Sequence, residues 1–336
     1  MYIAVLVLLF FVGILANGSL IYLFFRVKSL RDINNAFITN LAMGDVLYTT
    51  IFIPIRIYEK FFFFRPFGLT FCYFSISINY ISQDVSIFSL TALSVIRFKA
   101  VVFPLAQPPR RRKCVTLIGC LTIWIVSLLL AIGPVDQCRE YTMTDCLTNK
   151  TVMIHTIESH AKFFKCYSLL QFFVLFLMPL IVISILYGSM SYKLFCVNLP
   201  MGNASGGTNA NRSRRRLATI VLVLVVTFAV CWFPYHVYSI MSQFGWLYNL
   251  DAKVVFQDVQ FFLTMLSSVV NPIILYLTSS SFRNHLVGVA CHCFGRREWT
   301  RIDTNITTVR TTAKSNIAKR KKNTRRPNSS ISTTAI

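Results

Sequence analysis

Asp45 closes the run Asn40-Leu41-Ala42-Met43-Gly44-Asp45, in apolar surroundings where a carboxylate needs a cation, a proton or several hydrogen-bond donors. Ser86, Ser267, Ser268 and Asn271 stand in two other apolar runs and offer oxygens that would complete a site for a small cation such as sodium. A protonated Asp45 hydrogen-bonded between helices explains the same residues equally well. Further polar marks occur singly: Asn17, Arg97, Trp124, Pro179, the run Cys231-Trp232-Phe233-Pro234, and Asn271-Pro272 followed by Tyr276. Intramembrane charges and amides are costly and persist mainly where they face a bundle interior and perform a task. Pro234 and Pro272 each remove a helical hydrogen bond and kink their helix, giving it a pivot. Trp232 beside Pro234, with Phe228 one turn away, supplies a ring whose rotamer could report what sits above it, although an aromatic beside proline is more often core packing. No arrangement of nucleophile, base and oxyanion donors appears, and Cys291 and Cys293 flank His292 without a second ligand pair. An enzyme is not expected.

The elements that carry these residues are seven apolar stretches, near 3–25, 35–58, 69–103, 114–134, 163–196, 217–243 and 254–278. Each exceeds the roughly 20 residues a helix needs to cross the hydrocarbon core. Over all 336 residues the chain is 55% hydrophobic, and its mean hydropathy is +0.59. The expected fold is an all-α seven-transmembrane helix bundle in residues 1–295, ending in a short amphipathic membrane-surface helix. Residues 296–336 are expected to be a disordered, basic, Ser/Thr-rich tail. The first stretch is too long for a secretory signal and has no basic segment before it, so it reads as a retained helix. The brevity of the segment before it suggests that the native chain begins upstream of Met1.

A net charge of +22 raises the question of nucleic acid, and the distribution of the basic residues answers it. When the loops are assigned alternately, 26 of the 34 Lys and Arg fall on one side, including Arg110 to Lys113, Arg214 to Arg216 and the tail. The positive-inside rule makes that side cytoplasmic, with the N-terminus outside and the C-terminus in the cytoplasm of a multi-pass plasma-membrane protein. The cluster Lys319 to Lys322 with Arg325 and Arg326 suits anionic membrane lipids or solvent, and no nucleic-acid partner is expected.

These marks together resemble the rhodopsin-like family of G-protein-coupled receptors over about 3–293. Three stretches are similar to its bombesin and endothelin peptide-receptor branch: Lys28-Ser29-Leu30-Arg31, Ser89-Leu90-Thr91-Ala92-Leu93-Ser94 ahead of Arg97, and Ser281-Phe282-Arg283. The resemblance implies that Arg97 contacts a heterotrimeric G protein when the sixth helix swings out, and that Tyr187 and Tyr276 stabilise that open state. Phe228, Trp232, Pro234, Asn271 and Pro272 join this activation set, while Asp45, Ser86, Ser268 and Asn271 are the candidate holders of an allosteric sodium ion, beside the open alternative of a protonated Asp45. The chain departs from the family at Ile96, where an acid is usual, and at Phe98, where a tyrosine is usual. Losing that acid removes a restraint on Arg97, so raised basal activity or altered coupling is expected.

Cys72 matches the cysteine that bridges to the second outer loop, where Cys146 is the preferred partner over Cys138; Cys138 then pairs with Cys166 or stays free. Arg65 replaces the tryptophan that usually precedes Phe67-Gly68. Asn149-Lys150-Thr151 is the glycosylation triplet that topology places outside. Amine receptors carry an acid where this chain has Asn79, and opsins need a lysine that 254–278 lacks. A peptide ligand remains, with Asn79, Tyr80, Gln83, Trp232, Tyr235, His236, Ser239 and Gln260 as its contacts and Gln243 and Gln257 nearby. Asp84 is open between a ligand cation, His236 and a protonated inward state.

A receptor for a small lipid or metabolite and a constitutively active receptor are the alternatives within the family; a transporter or channel would show internal repeats or a pore-lining charge series, and neither is visible. Residues 197–213 read as a flexible inner linker rich in Gly, Asn and Ser. Phe282, Leu286 and Val289 recur at helical spacing on the membrane-surface helix, and Cys291 and Cys293 at its end are palmitoylation candidates. Thr307, Thr308, Thr311, Thr312, Ser329, Ser330 and Ser332 suit phosphorylation for arrestin recruitment.

Overall fold

A computed structural model describes residues 2–62, 68–103, 112–133, 138–144, 151–157, 162–195, 206–246 and 249–293. Seven helices among them are long and apolar enough to cross a membrane: α1 (Ala4–Arg26), α2 (Ile33–Tyr58), α3 (Thr70–Val102), α4 (Lys113–Leu130), α5 (Lys165–Met190), α6 (Thr219–Gln243) and α7 (Asp251–Leu277). These match the expected seven stretches in order. A short helix, α8, follows at Ser280–Cys293. The expected tail at 296–336 lies outside the described residues.

Burial is inverted relative to a water-soluble protein. Leu15 is 71% exposed whereas Asn17, two residues on, is fully buried. Leu8, Ile118, Leu129, Ile185 and Leu277 point outward, while Asp45, Gln83, Asp84, Arg97 and Asn271 point inward. Lipid tails cover such an apolar exterior at no cost, and the polar groups must find partners inside the bundle. The central helix is α3, which packs against α2, α4, α5 and α6, while α6 lies along α7.

Two helices carry wide turns immediately before a proline. In α2 the Ile53 N–H donates to the Tyr48 carbonyl, five residues back, ahead of Pro54; in α5 the Met178 N–H donates to Phe173, ahead of Pro179. Proline has no N–H and its ring crowds the preceding turn, so the ladder shifts by one residue, widens and re-aims the side chains on either side.

Two features differ from the expectation of helices and loops alone. Strands β1 (Cys138–Thr144) and β2 (Thr151–Ile157) form an antiparallel hairpin between α4 and α5, with Cys138 opposite Ile157 and Thr144 opposite Thr151. Thr and Tyr in β1 and Thr, Val and Ile in β2 favour extended backbone. The helix that contains α6 begins at Gly206, so the linker expected to reach Ser213 is shorter. Extending an existing helix needs no new nucleus, and the arginines of 212–216 are good helix formers.

Candidate functional site

Three helices are joined by one amide. Asn40 Nδ2 on α2 donates to Ser89 Oγ on α3 at 2.9 Å, and Trp124 Nε1 on α4 donates to Asn40 Oδ1 at 2.8 Å. About one turn along α2, Ser82 Oγ donates to the Gly44 carbonyl at 2.8 Å. A Cβ on Gly44 would stand 3.1 Å from Val85, so glycine permits this close approach of α2 and α3.

Asp45 lies next in this layer and is buried. Asn271 Nδ2 on α7 donates to its Oδ2 at 3.0 Å, Ser86 Oγ on α3 donates to its Oδ1 at 3.5 Å, and Ser268 bonds the same carboxylate. Asn17 on α1 donates to the carbonyls of Gly13 and Ser268 at 3.0 and 2.9 Å, which ties α1 to α7. Asn17, Asp45, Asn271 and Pro272 line a narrow cleft with Leu224 of α6. Asn271 Oδ1 is buried without a hydrogen-bond partner. A carboxylate, two serine hydroxyls and an unused amide oxygen make an oxygen set suited to a hard cation. The four residues expected as the sodium set are thus brought together.

Nearer the hairpin, Gln83 of α3 and His236 of α6 meet with Nε2 to Nε2 at 2.9 Å. An amide nitrogen can only donate, so the imidazole accepts at Nε2 and carries its hydrogen on Nδ1. Phe172 and Phe176 of α5 and Tyr235 pack against the imidazole, with ring centroids at 6.0, 4.8 and 5.3 Å. Trp232 stacks on Phe228 at 5.7 Å and meets Tyr235 edge-on at 5.6 Å, just before Pro234. Tyr235 bonds Tyr80, and Ser239 Oγ donates to Ser168 Oγ at 3.2 Å. Gln243 and Gln260 are buried, and Asn79 is half-buried.

The α5 wall of this pocket was missing from the sequence reading. Tyr167 donates to the Leu130 carbonyl at 2.8 Å and accepts from Gln171 at 3.2 Å. Tyr167, Ser168 and Gln171 form a one-face polar stripe in an apolar helix, and that stripe is the signal that could have found them. Asp84, one of whose open readings was a pair with His236, has both carboxylate oxygens buried without a partner. The imidazole nitrogen is occupied by Gln83 instead.

At the opposite end of α3, Arg97 is buried and its Nε has no hydrogen-bond partner. The groups that act on it electrostatically are Asp32, the N-cap of α2, and Tyr187 of α5, which bonds Ser94. Ile96 offers no charge. Tyr276 of α7 shares a 2.7 Å hydrogen bond with Ser19 of α1. Lys193 donates to the Val102 carbonyl at the last turn of α3.

The model of the 7 transmembrane receptor (rhodopsin family) matches residues 16–275. The chain belongs to that family. It is 35% identical over 289 residues to the bombesin receptor subtype-3 of Ovis aries, covering 82% of this chain and 70% of that protein. It is 32% identical over 281 residues to the [Phe13]-bombesin receptor of Bombina orientalis, covering 82% and 72%. The neuropeptide CCHamide-1 receptor of Drosophila melanogaster is 30% identical over 289 residues, covering 83% and 58%. The resemblance to the bombesin branch therefore holds across the spans and not only in short stretches. As a member of this receptor family the chain is a multi-pass membrane protein and not an enzyme.

The remaining expected residues of this rhodopsin-family chain divide by location. Cys72 is disulfide-bonded, while Cys166 is free, which removes the Cys138–Cys166 pairing. Cys146, Asn149 and Arg65, and the side chains of Cys291 and Cys293, lie outside the described residues.

Proposed function

We propose that the chain is a plasma-membrane receptor, N-terminus outside, that binds an extracellular peptide and drives nucleotide exchange on a heterotrimeric G protein. The Gln83–His236 couple carries this reading. It joins α3 to α6 one turn from the Trp232–Pro234 pivot, so a ligand that alters this couple biases the position of α6. A ligand shifts such an equilibrium only by its differential affinity for the two states. Asn79, Tyr80, Tyr235, Ser239 and Gln260 would meet peptide amides and side chains, and the relatives named for bombesin and CCHamide support a peptide over a lipid. Arg97, Tyr187 and Tyr276 would receive the G protein once α6 moves.

Sodium fits the Asp45 layer, with Asp45, Ser86, Ser268 and Asn271 as its holders and the unused Asn271 Oδ1 as the supporting observation. Bound there, it supplies a positive charge that neutralises the carboxylate and favours the closed arrangement of α2, α3 and α7. A Cys72–Cys146 bridge, glycosylation at Asn149, palmitoylation at Cys291 and Cys293, arrestin at the phosphorylated tail and anionic lipids at its basic cluster complete the proposal.

The test is calcium and cyclic AMP output from cells expressing the full chain, with and without a library of amidated neuropeptides. A saturable response that Gln83→Ala or His236→Ala shifts to about 10-fold or more higher peptide concentration at unchanged surface expression is the expected result. Surface expression with high basal output and no peptide response overturns the peptide assignment.

A further inference from the structure

Around Asp84 the pocket is short of donors. Its carboxylate lies about 18 Å along α3 from Cys72, counted at 1.5 Å per residue, and is 1% exposed. Neither oxygen has a hydrogen-bond partner, and Gln83 Oε1, on the adjoining residue, has none either. Three donors of this pocket are committed elsewhere. Gln83 Nε2 is spent on His236, Gln171 Nε2 on Tyr167, and the Tyr167 hydroxyl hydrogen on the Leu130 carbonyl. Tyr167 is in electrostatic contact with Asp84, and its hydroxyl proton goes to the Leu130 carbonyl. Three buried acceptor atoms on two adjoining residues therefore lack a donor. A carboxylate held in that condition is expensive, and a cation bearing several N–H groups relieves it fully.

We propose that Asp84 is the deep anchor of the pocket and takes a cationic nitrogen group of the ligand, a guanidinium or ammonium from a basic side chain, with Gln83 Oε1 as its second acceptor. The group fits by chemistry. A guanidinium presents a planar fork of donors that satisfies both carboxylate oxygens at once. Tyr167, which is in electrostatic contact with Asp84, meets the Tyr80 ring edge-on at 6.2 Å, and rings of this kind tolerate a flat cation. His236 is not that cation: its Nε2 accepts from Gln83, so the imidazole is neutral, and neither Asp84 oxygen has it as a partner.

The inference deepens the peptide reading by assigning a basic residue to the part of the ligand that penetrates furthest, and it rests on that reading only for the cation being part of a peptide. Its test uses small probes, so the two fail separately. The purified full-length receptor is melted with N-acetyl-arginine amide, N-acetyl-lysine amide or the uncharged N-acetyl-citrulline amide at matched millimolar concentration. The expected result is a rise of about 2 °C or more with a charged probe and none with citrulline, lost in Asp84→Asn and kept in Asp84→Glu. A larger rise with arginine than lysine identifies the guanidinium. No rise with either cation, an equal rise with citrulline, or a full rise in Asp84→Asn overturns the site. The comparison of charged and uncharged probes on the unmodified chain stands even if a variant does not fold. A cation effect here with no response in the peptide library leaves the subsite and removes the peptide.

Discussion

Gln83 and His236 are 153 positions apart in sequence and 2.9 Å apart in space, and their contact joins α3 to α6 two residues past Pro234. Either partner alone is poorly placed in this apolar shell. Removing one leaves a buried polar group unsatisfied, at a cost of about 1–3 kcal/mol. Gln83→Ala and His236→Ala should each lower agonist potency about 10-fold or more. Because both remove the same contact, the double variant should lose far less than the product of the two. Concentration–response curves for the four proteins form the cycle, and fully additive losses would show that the contact does not couple the helices.

Sodium is the second case. If Asp45, Ser86, Ser268 and Asn271 hold the ion in the closed state, agonist and sodium oppose each other through linkage, and each weakens the other by the same factor. Replacing sodium by an equal concentration of a bulky organic cation should raise agonist affinity in the unmodified chain. In Asp45→Asn the affinity should not respond. A sodium effect that persists in Asp45→Asn places the ion elsewhere.

Arg97 lacks an adjoining acid, since Ile96 occupies that place, and Asp32 is the acid that acts on it. Asp32 already caps α2 by accepting from the Asn35 N–H at 2.8 Å, so it is fixed in position. Ile96→Asp should lower basal second-messenger output, and Asp32→Asn should raise it while keeping the cap through its amide oxygen. Equal basal output in all three at matched surface expression would remove electrostatic restraint of Arg97 from the account.

The Trp124–Asn40–Ser89 junction is structural rather than ligand-facing. Asn40→Leu strands the Trp124 N–H and the Ser89 hydroxyl and should destabilise the bundle by about 1–3 kcal/mol. Trp124→Phe strands only one acceptor and should cost less. Melting temperatures of the purified proteins give the order, with agonist affinity unchanged in whatever fraction folds.

The seven spans were legible because hydrocarbon leaves little choice: a stretch of some 20 apolar residues satisfies its own backbone only as a helix. Local chemistry also marked Asp45, Arg97, Trp232, Pro234 and Asn271, since each is too polar or too disruptive to sit in an apolar run without a task. The family followed from those marks. The hairpin 138–157 was harder to see, because its β-branched residues stand in a loop already explained by its cysteines. Helix α6 extended further than the Gly-rich composition suggested, for the cooperative reason given above.

Partnership was decided only by the tertiary structure. Asp84 and Gln83 are adjoining residues of similar polarity, and nothing local says which meets His236. Rotation about α3 and the packing of α6 against it bring the amide to the imidazole and leave the carboxylate without a donor. In the same way Asp45 could be matched with serines and an asparagine by type, but only the approach of α2, α3 and α7, of which the α2–α3 part is allowed by the missing Cβ of Gly44, sets which oxygens share one point. A helix determines the height of a side chain from its own sequence; its azimuth relative to other helices is a property of the whole bundle, and hydrogen-bond partnership depends on both.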